Sequence, residues 1–243
     1  MPMSFYPSLL HWPDLLNRDR MFKWELGART ISGGRSVSGV QQVGRTDGGG
    51  VWMATMDDVQ VSTPNQIRAW KAIKARLDGG ATPIVMPCRE VVTAPWPLVG
   101  GVALTDLPST NSDDSTLSDD TEYEGSPIQA TLAAGADLRA TQLLMTFATG
   151  GPLLAGETFS IQHQTFSWRR YEVAGVTLDG DGNSLVTIRP PLREATPAGQ
   201  WVEFNTPKCV MQLASPDAMD LPLELRTYGK ASPKFVESFP PWE

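Results

Sequence analysis

Thr158-Phe159-Ser160-Ile161, Tyr171-Glu172-Val173, Asp179-Gly180-Asp181-Gly182-Asn183 and Leu185-Val186-Thr187-Ile188-Arg189-Pro190-Pro191 follow one another through residues 158–191. Runs rich in β-branched and aromatic residues alternate here with turn chemistry, and a proline pair stops the last run. None of the runs has the length or the 3.6-residue period of a helix. The Asp-Gly-Asp-Gly-Asn stretch lies between two of them and reads as a hairpin turn. Leu143–Ala148 adds a run upstream. Residues 128–204 therefore read as a compact β unit whose strand spacing suits a small barrel.

Working toward the N-terminus, Phe22-Lys23-Trp24-Glu25-Leu26 alternates as a half-buried strand does. A Gly/Ser-rich stretch, Ile31–Gly39, follows. Gly48-Gly49-Gly50, flanked by Val43 and by Val51-Trp52-Met53, predicts a turn between two strands. One helix is expected over 64–77. Thr63 can cap it, Pro64 suits its first position and Gln66 can close a capping box. Ile67, Trp70, Ile73 and Leu77 recur at helical spacing, and Gly79-Gly80 stops the helix. Ile84-Val85-Met86 reads as a short buried strand ended by Pro87, and Pro95 and Pro97 hold Trp96 in irregular or edge structure.

Toward the C-terminus, Cys209, Met211 and Leu213 share one strand face, as do Leu223, Leu225 and Thr227. These strands are expected to rejoin the first unit, which makes the barrel an insertion. The expected class is mainly β, α+β with one helix. The first unit covers 1–106, an acidic linker 107–126, the inserted barrel 127–205 and the returning strands 206–243.

The chain has 243 residues, 41% of them hydrophobic, with 20 prolines and 22 glycines. That supports a core built from short strands joined by turns. The net charge is −7, and Asp106, Asp113, Asp114, Asp119, Asp120, Glu122 and Glu124 lie together with no Lys or Arg among them. A polar acidic stretch of this kind reads as an exposed loop or linker. The remainder is balanced, so the basic footprint of a nucleic-acid reader is missing. Residues 1–20 do not show the pattern of a secretory signal, and no stretch reaches the length of a membrane span. Cys88 and Cys209 then read as buried thiols in a chain made in the cytoplasm.

Candidates for chemistry are few. His163 alternates with Phe159 and Ile161, which places it on a strand, and His11 lies in a poorly patterned segment. A Cys209–His163 pair would be a nucleophile and base, but Cys209 shares a face with Met211 and Leu213, as an inert core thiol does. No Gly-x-Ser-x-Gly elbow is found. Gly44-Arg45-Thr46-Asp47-Gly48-Gly49-Gly50 lacks the Lys-Ser/Thr ending of a phosphate loop. Asp179, Asp181 and Asn183 imitate the start of a calcium loop, but Ser184 stands where glycine is required and Pro190 where the bidentate glutamate belongs. Asp113, Asp114, Asp119 and Asp120 read as a solvated acid cluster. Arg169-Arg170 and Arg193 are the remaining pointed charges, and Arg193, after the Pro190-Pro191-Leu192 break, is expected to make a structural ion pair with a carboxylate. No catalytic, cofactor-binding or metal-binding residue is expected, and no cofactor. Arg68, Lys71 and Lys74 on the helix are candidates for a subunit-contact surface, beside the plainer reading of a solvated face.

Several strings occur in a familiar order. They are Gly156-Glu157-Thr158-Phe159, Tyr171-Glu172-Val173, Val186-Thr187-Ile188-Arg189-Pro190-Pro191-Leu192-Arg193, Pro207-Lys208-Cys209-Val210-Met211-Gln212-Leu213 and Phe235-Val236-Glu237-Ser238-Phe239. With the acidic Ser112–Tyr123 stretch ahead of Leu138-Arg139-Ala140-Thr141, the order over residues 20–240 resembles the minor tail proteins of siphophages. The role most like it is the distal tail protein. The resemblance implies a β-sandwich belt domain with one helix, carrying an inserted barrel similar to an OB fold. It also implies a homo-oligomeric ring, a hexamer, at the virion tail tip, between the tail tube protein and the hub or baseplate proteins. DNA would pass through that ring without specific binding, no membrane would be involved, and the family brings no catalytic residues. Other expectations are a different tail-tip component (a hub subunit or tube-related protein), a carbohydrate-binding module drawing on the eight tryptophans, and, last, an enzyme.

Overall fold

The computed structural model describes residues 9–17, 19–27, 30–45, 49–88, 93–105, 127–179, 181–224 and 228–241. The predicted acidic linker, 107–126, lies outside the described residues, as do Leu225 and Thr227. The protein is mainly β, with one α-helix among the described residues. Contacts divide it into two units: residues 1–87, 163–169 and 208–243 form unit 1, and residues 88–162 and 170–207 form unit 2. The division places 88–105 with the barrel unit, ahead of the boundary at 106 read from the sequence.

Unit 1 opens with β1 (Leu10–His11), β2 (Met21–Gly27), β3 (Thr30–Arg35), β4 (Gln41–Arg45), β5 (Val51–Asp57), β6 (Val59–Val61), α1 (Pro64–Leu77) and β7 (Ile84–Pro87). β2 pairs antiparallel with β5 from Met21↔Asp57 to Gly27↔Val51. β3 pairs antiparallel with β4 from Thr30↔Arg45 to Arg35↔Gln41. The chain therefore reverses at residues 36–40, where the Ser36 N–H donates to the Val40 carbonyl and the Gly39 N–H to that of Ser36. The Gly48–Gly50 stretch, of which Gly49 and Gly50 are described, lies between β4 and β5, the two strands expected to flank it. Gly49 and Gly50 adopt positive φ (100° and 90°) just ahead of β5. Turn composition marks where a backbone can bend; the pairing decides where it folds back.

α1 starts as its sequence predicts. The Thr63 side chain accepts from the Gln66 N–H at 3.3 Å, and Gln66 Oε1 accepts from the Thr63 N–H at 3.1 Å, a complete capping box. Trp70, Ile73 and Leu77 are buried as expected. Ile67 is only half-buried, and Gln66 takes the inward place, donating from Nε2 to the Leu15 carbonyl at 3.3 Å. Positions 66, 70, 73 and 77 define the inner face, and a capping glutamine satisfied at both ends of its amide tolerates burial there. Trp70 stands edge-on to Trp12 at 6.0 Å and donates its indole N–H to the Met219 carbonyl at 3.0 Å. Asp78, not a glycine, is the first left-handed residue after the helix (φ 44°), followed by Gly79 (φ 63°).

Unit 2 contains β8 (Leu98–Val99), β9 (Val102–Ala103), β10 (Gln129–Leu132), β11 (Gln142–Thr149), β12 (Thr158–His163), β13 (Ser167–Leu178), β14 (Ser184–Arg189) and β15 (Trp201–Glu203), with the adjoining ends of β12 and β13 grouped in unit 1. Six of these close a barrel in the order β10-β11-β14-β13-β12-β15. Closure removes sheet edges and lets one face of each strand fill a common interior. β14 shows the pattern most plainly: Ser184, Val186 and Ile188 are buried while Leu185, Thr187 and Arg189 are half-buried. Phe159 stacks on Tyr171 at 5.6 Å and packs on Phe204 at 5.2 Å inside the barrel core. The Tyr171 hydroxyl accepts the Arg193 N–H at 3.0 Å, which satisfies a polar tip within an apolar interior.

The chain then returns to unit 1 as β16 (Lys208–Leu213), β17 (Leu223–Glu224), β18 (Tyr228–Ala231) and β19 (Lys234–Glu237). A six-stranded sheet runs β1-β7-β16-β19-β5-β2, and a three-stranded sheet runs β17-β18-β6. β7 and β16 pair antiparallel, Lys208 opposite Pro87 and Cys209 opposite Met86. Two neighbouring strands of one sheet are thus separated in sequence by all of the barrel. Phe235 of β19 meets Trp12 edge-on at 5.7 Å, so Trp12 links the helix to the sheet.

Candidate functional site

The three basic residues singled out on α1 behave differently from one another. Pro64 and the capping box fix the start of the helix, so its inner face fixes where each side chain goes. Arg68 and Lys71 are exposed. Arg68 Nη1 reaches Asn65 Oδ1, three residues back, at 3.5 Å. Lys74 is half-buried and forms an ion pair with Asp220. Arg68 and Lys71 are therefore presented outward on unit 1, while Lys74 is committed to its own unit. The arrangement can meet an acidic partner by long-range attraction.

His163 and Cys209 fall where strand alternation placed them. His163 is buried at the end of β12 and Cys209 is buried in β16. Both cysteines are free thiols in buried positions. His11 is exposed on β1, and its imidazole is held below the usual range by partial desolvation and then by the positive charge of Lys208. The Asp179 turn is built by its carboxylate. Oδ1 accepts the N–H groups of Asp181 at 2.9 Å and Asn183 at 2.7 Å, and Oδ2 accepts from the Asn183 side chain at 3.0 Å. These bonds hold the carboxyl below its usual range, led by the Asn183 side chain, and they use the oxygens that a calcium ion would need. Among the described residues no group of three or more His, Cys, Asp or Glu is placed to hold a metal ion. None of their helices is long and apolar enough to cross a membrane.

Two features escaped the sequence. Arg169 and Glu237, both in unit 1, form an ion pair at 3.4 Å with neither side chain exposed to solvent. Arg169 Nε donates to the Phe166 carbonyl at 2.9 Å, and the guanidinium lies 4.6 Å from the Phe239 ring centroid. Glu157, in unit 2, is 4% exposed, and burial pushes its carboxyl up to about 7 although the Leu154 N–H donates to it at 3.1 Å. Glutamate beside Gly156 gave no sign of burial. The signal that existed was its place beside the Thr158–Ile161 run.

Among the described residues each unit carries an open cleft. In unit 1 a polar cleft of about 770 Å³ is lined by Asp14, Asn17, Asp19, Arg20, Asp58, Gln60 and Lys230. In unit 2 a cleft of about 500 Å³ is lined by Phe147, Leu153, Leu154, Val176 and Leu178 together with residues 150–152. The first lining mixes three carboxylates with Arg20 and Lys230, and the second is mostly apolar. No protein-family model and no curated protein matches the chain.

Proposed function

We propose that this chain is a structural protein of a phage tail tip, most like a distal tail protein. In this reading it assembles as a homo-oligomeric ring, a hexamer, that joins the tail tube to the hub or baseplate proteins and lets DNA pass. The observation that carries the reading is the discontinuous sheet. β7 and β16 are neighbours, and the barrel-bearing residues 88–207 are spliced between them, in the two-part organisation that the ordered strings imply. The single helix in unit 1 and the closed barrel in unit 2 support the same reading. Charge supports it as well: with a net charge of −7, a ring of this chain repels the DNA that it conducts. Arg68 and Lys71 belong on a protein contact or on the outside of the ring, away from the DNA path.

The test is electron microscopy of the purified full chain together with its native mass at micromolar concentration. A closed ring is the expected result. A chain that stays monomeric throughout, or a ring lumen lined by Lys and Arg, would overturn the proposal.

A further inference from the structure

The β2–β5 ladder belongs to the six-stranded sheet, because β5 also pairs with β19 at Met53, Ala54 and Thr55. β3 and β4, further along the same ribbon, form a sheet of two strands only. Described side chains from Gly33 to Gln41 are all exposed. Val37 is fully exposed and Val40 is 61% exposed. A Cβ built on Gly39 or on Gly44 would meet nothing within 4 Å. An isolated two-stranded hairpin is marginal in water, and folded proteins cover or blunt such open edges. With β3 six residues long, the arm spans roughly 20 Å at the rise of an extended strand.

We propose that this arm is a clasp that docks on a second copy of the chain, an inference that rests on the ring reading above. Charge selects the occupant. Between Glu25 and Asp47 the sequence has Arg29, Arg35 and Arg45 and no acid. The whole chain carries −7, so the chain without these three arginines carries −10. Arm and body of identical copies are thus of opposite sign, and each copy has one of each. Arm-onto-body contact is head-to-tail, the heterologous geometry that closes into rings. Val37 and Val40 supply the apolar anchors, and the exposed strand edges offer main-chain groups for strand addition. Arg35 is exposed, and attraction through an exposed charge weakens with salt.

The experiment compares the full chain with an Arg35→Glu/Val37→Asp/Val40→Asp variant by sedimentation over a micromolar range at low and high salt. Circular dichroism checks the fold, which surface substitutions at exposed positions leave intact. The wild type is expected to associate, less so in high salt, and the variant to associate about tenfold or more weakly. A variant that assembles like the wild type overturns the clasp and leaves the ring reading standing. A wild type that is monomeric at every concentration overturns both. As a second measurement, a photo-reactive side chain placed at Val37 should cross-link to another copy when duplex DNA is also present. Cross-linking to the DNA instead would assign the arm to a nucleic acid and overturn the proposal.

Discussion

Replacing Glu237 by Leu should destabilise unit 1 by about 4–8 kcal/mol, because it strands a buried cation and a backbone donor. Arg169 and Glu237 are both wholly out of solvent, so water does not screen the pair. Their charged atoms lie 3.4 Å apart. Glu237 also serves the backbone: Oε2 accepts the Trp52 N–H at 3.1 Å. Removing one partner of a buried pair costs about 3–5 kcal/mol. Orphaning the Trp52 N–H adds to this within the range of about 1–3 kcal/mol for a buried donor. Glu237→Gln keeps an acceptor for Trp52 and removes only the charge, so the difference between the two variants isolates the backbone bond. The double variant Arg169→Met/Glu237→Leu should recover most of the loss, since replacing a buried pair by apolar side chains is often close to neutral. The assay is urea denaturation followed by tryptophan fluorescence, with free energies extrapolated linearly and combined in a double-mutant cycle. A cost below about 1 kcal/mol for Glu237→Leu would refute the reasoning. So would a double variant as unstable as the sum of the singles, because the pair would then not be coupled.

Two further outcomes can be checked in the same way. Trp70→Ala should cost about 3–5 kcal/mol, the range for truncating a large buried aromatic, with loss of the bond to Met219 included; a cost under about 1 kcal/mol would show that the helix does not rest on this side chain. Glu157 binds its proton up to about pH 7 in the folded protein, against 4.5 as its ordinary value. Between those values the folded state therefore holds more protons than the unfolded one, and Glu157's contribution to stability falls as pH rises through that window. Glu157→Gln should flatten this dependence and gain about 1–3 kcal/mol at pH 8; a pH profile unchanged by the substitution would show that the carboxyl does not titrate there.

Much of the fold is written locally. The capping box at Thr63 and Gln66, the burial of Trp70, Ile73 and Leu77, and the alternation of Ser184, Val186 and Ile188 each depend on neighbours a few residues away. Their periodicity and side-chain-to-backbone bonds survive in any context that keeps the segment. The Asp179 turn is legible for the same reason, since the bonds of the Asp179 carboxylate to Asp181 and Asn183 are local. The sequence also placed the barrel between strands that return to one unit, because the apolar alternation resumes at Cys209.

The candidate site was legible only in part. Arg68 and Lys71 face outward as the helical wheel requires, but Lys74 is drawn into an ion pair with a residue 146 positions away. Arg169 meets Glu237 across 68 positions, and nothing near either residue announces the other. The β3–β4 pairing and its reversal at residues 36–40 lie in a stretch whose Gly/Ser-rich composition announced no strand. The burial of Gln66 and Glu157 was set by what packs over them. Local periodicity and capping are energies of a short segment, and the sequence by itself determined them. Strand partners, buried charge pairs and the desolvation of a carboxylate are energies between segments, and only the tertiary structure could decide them.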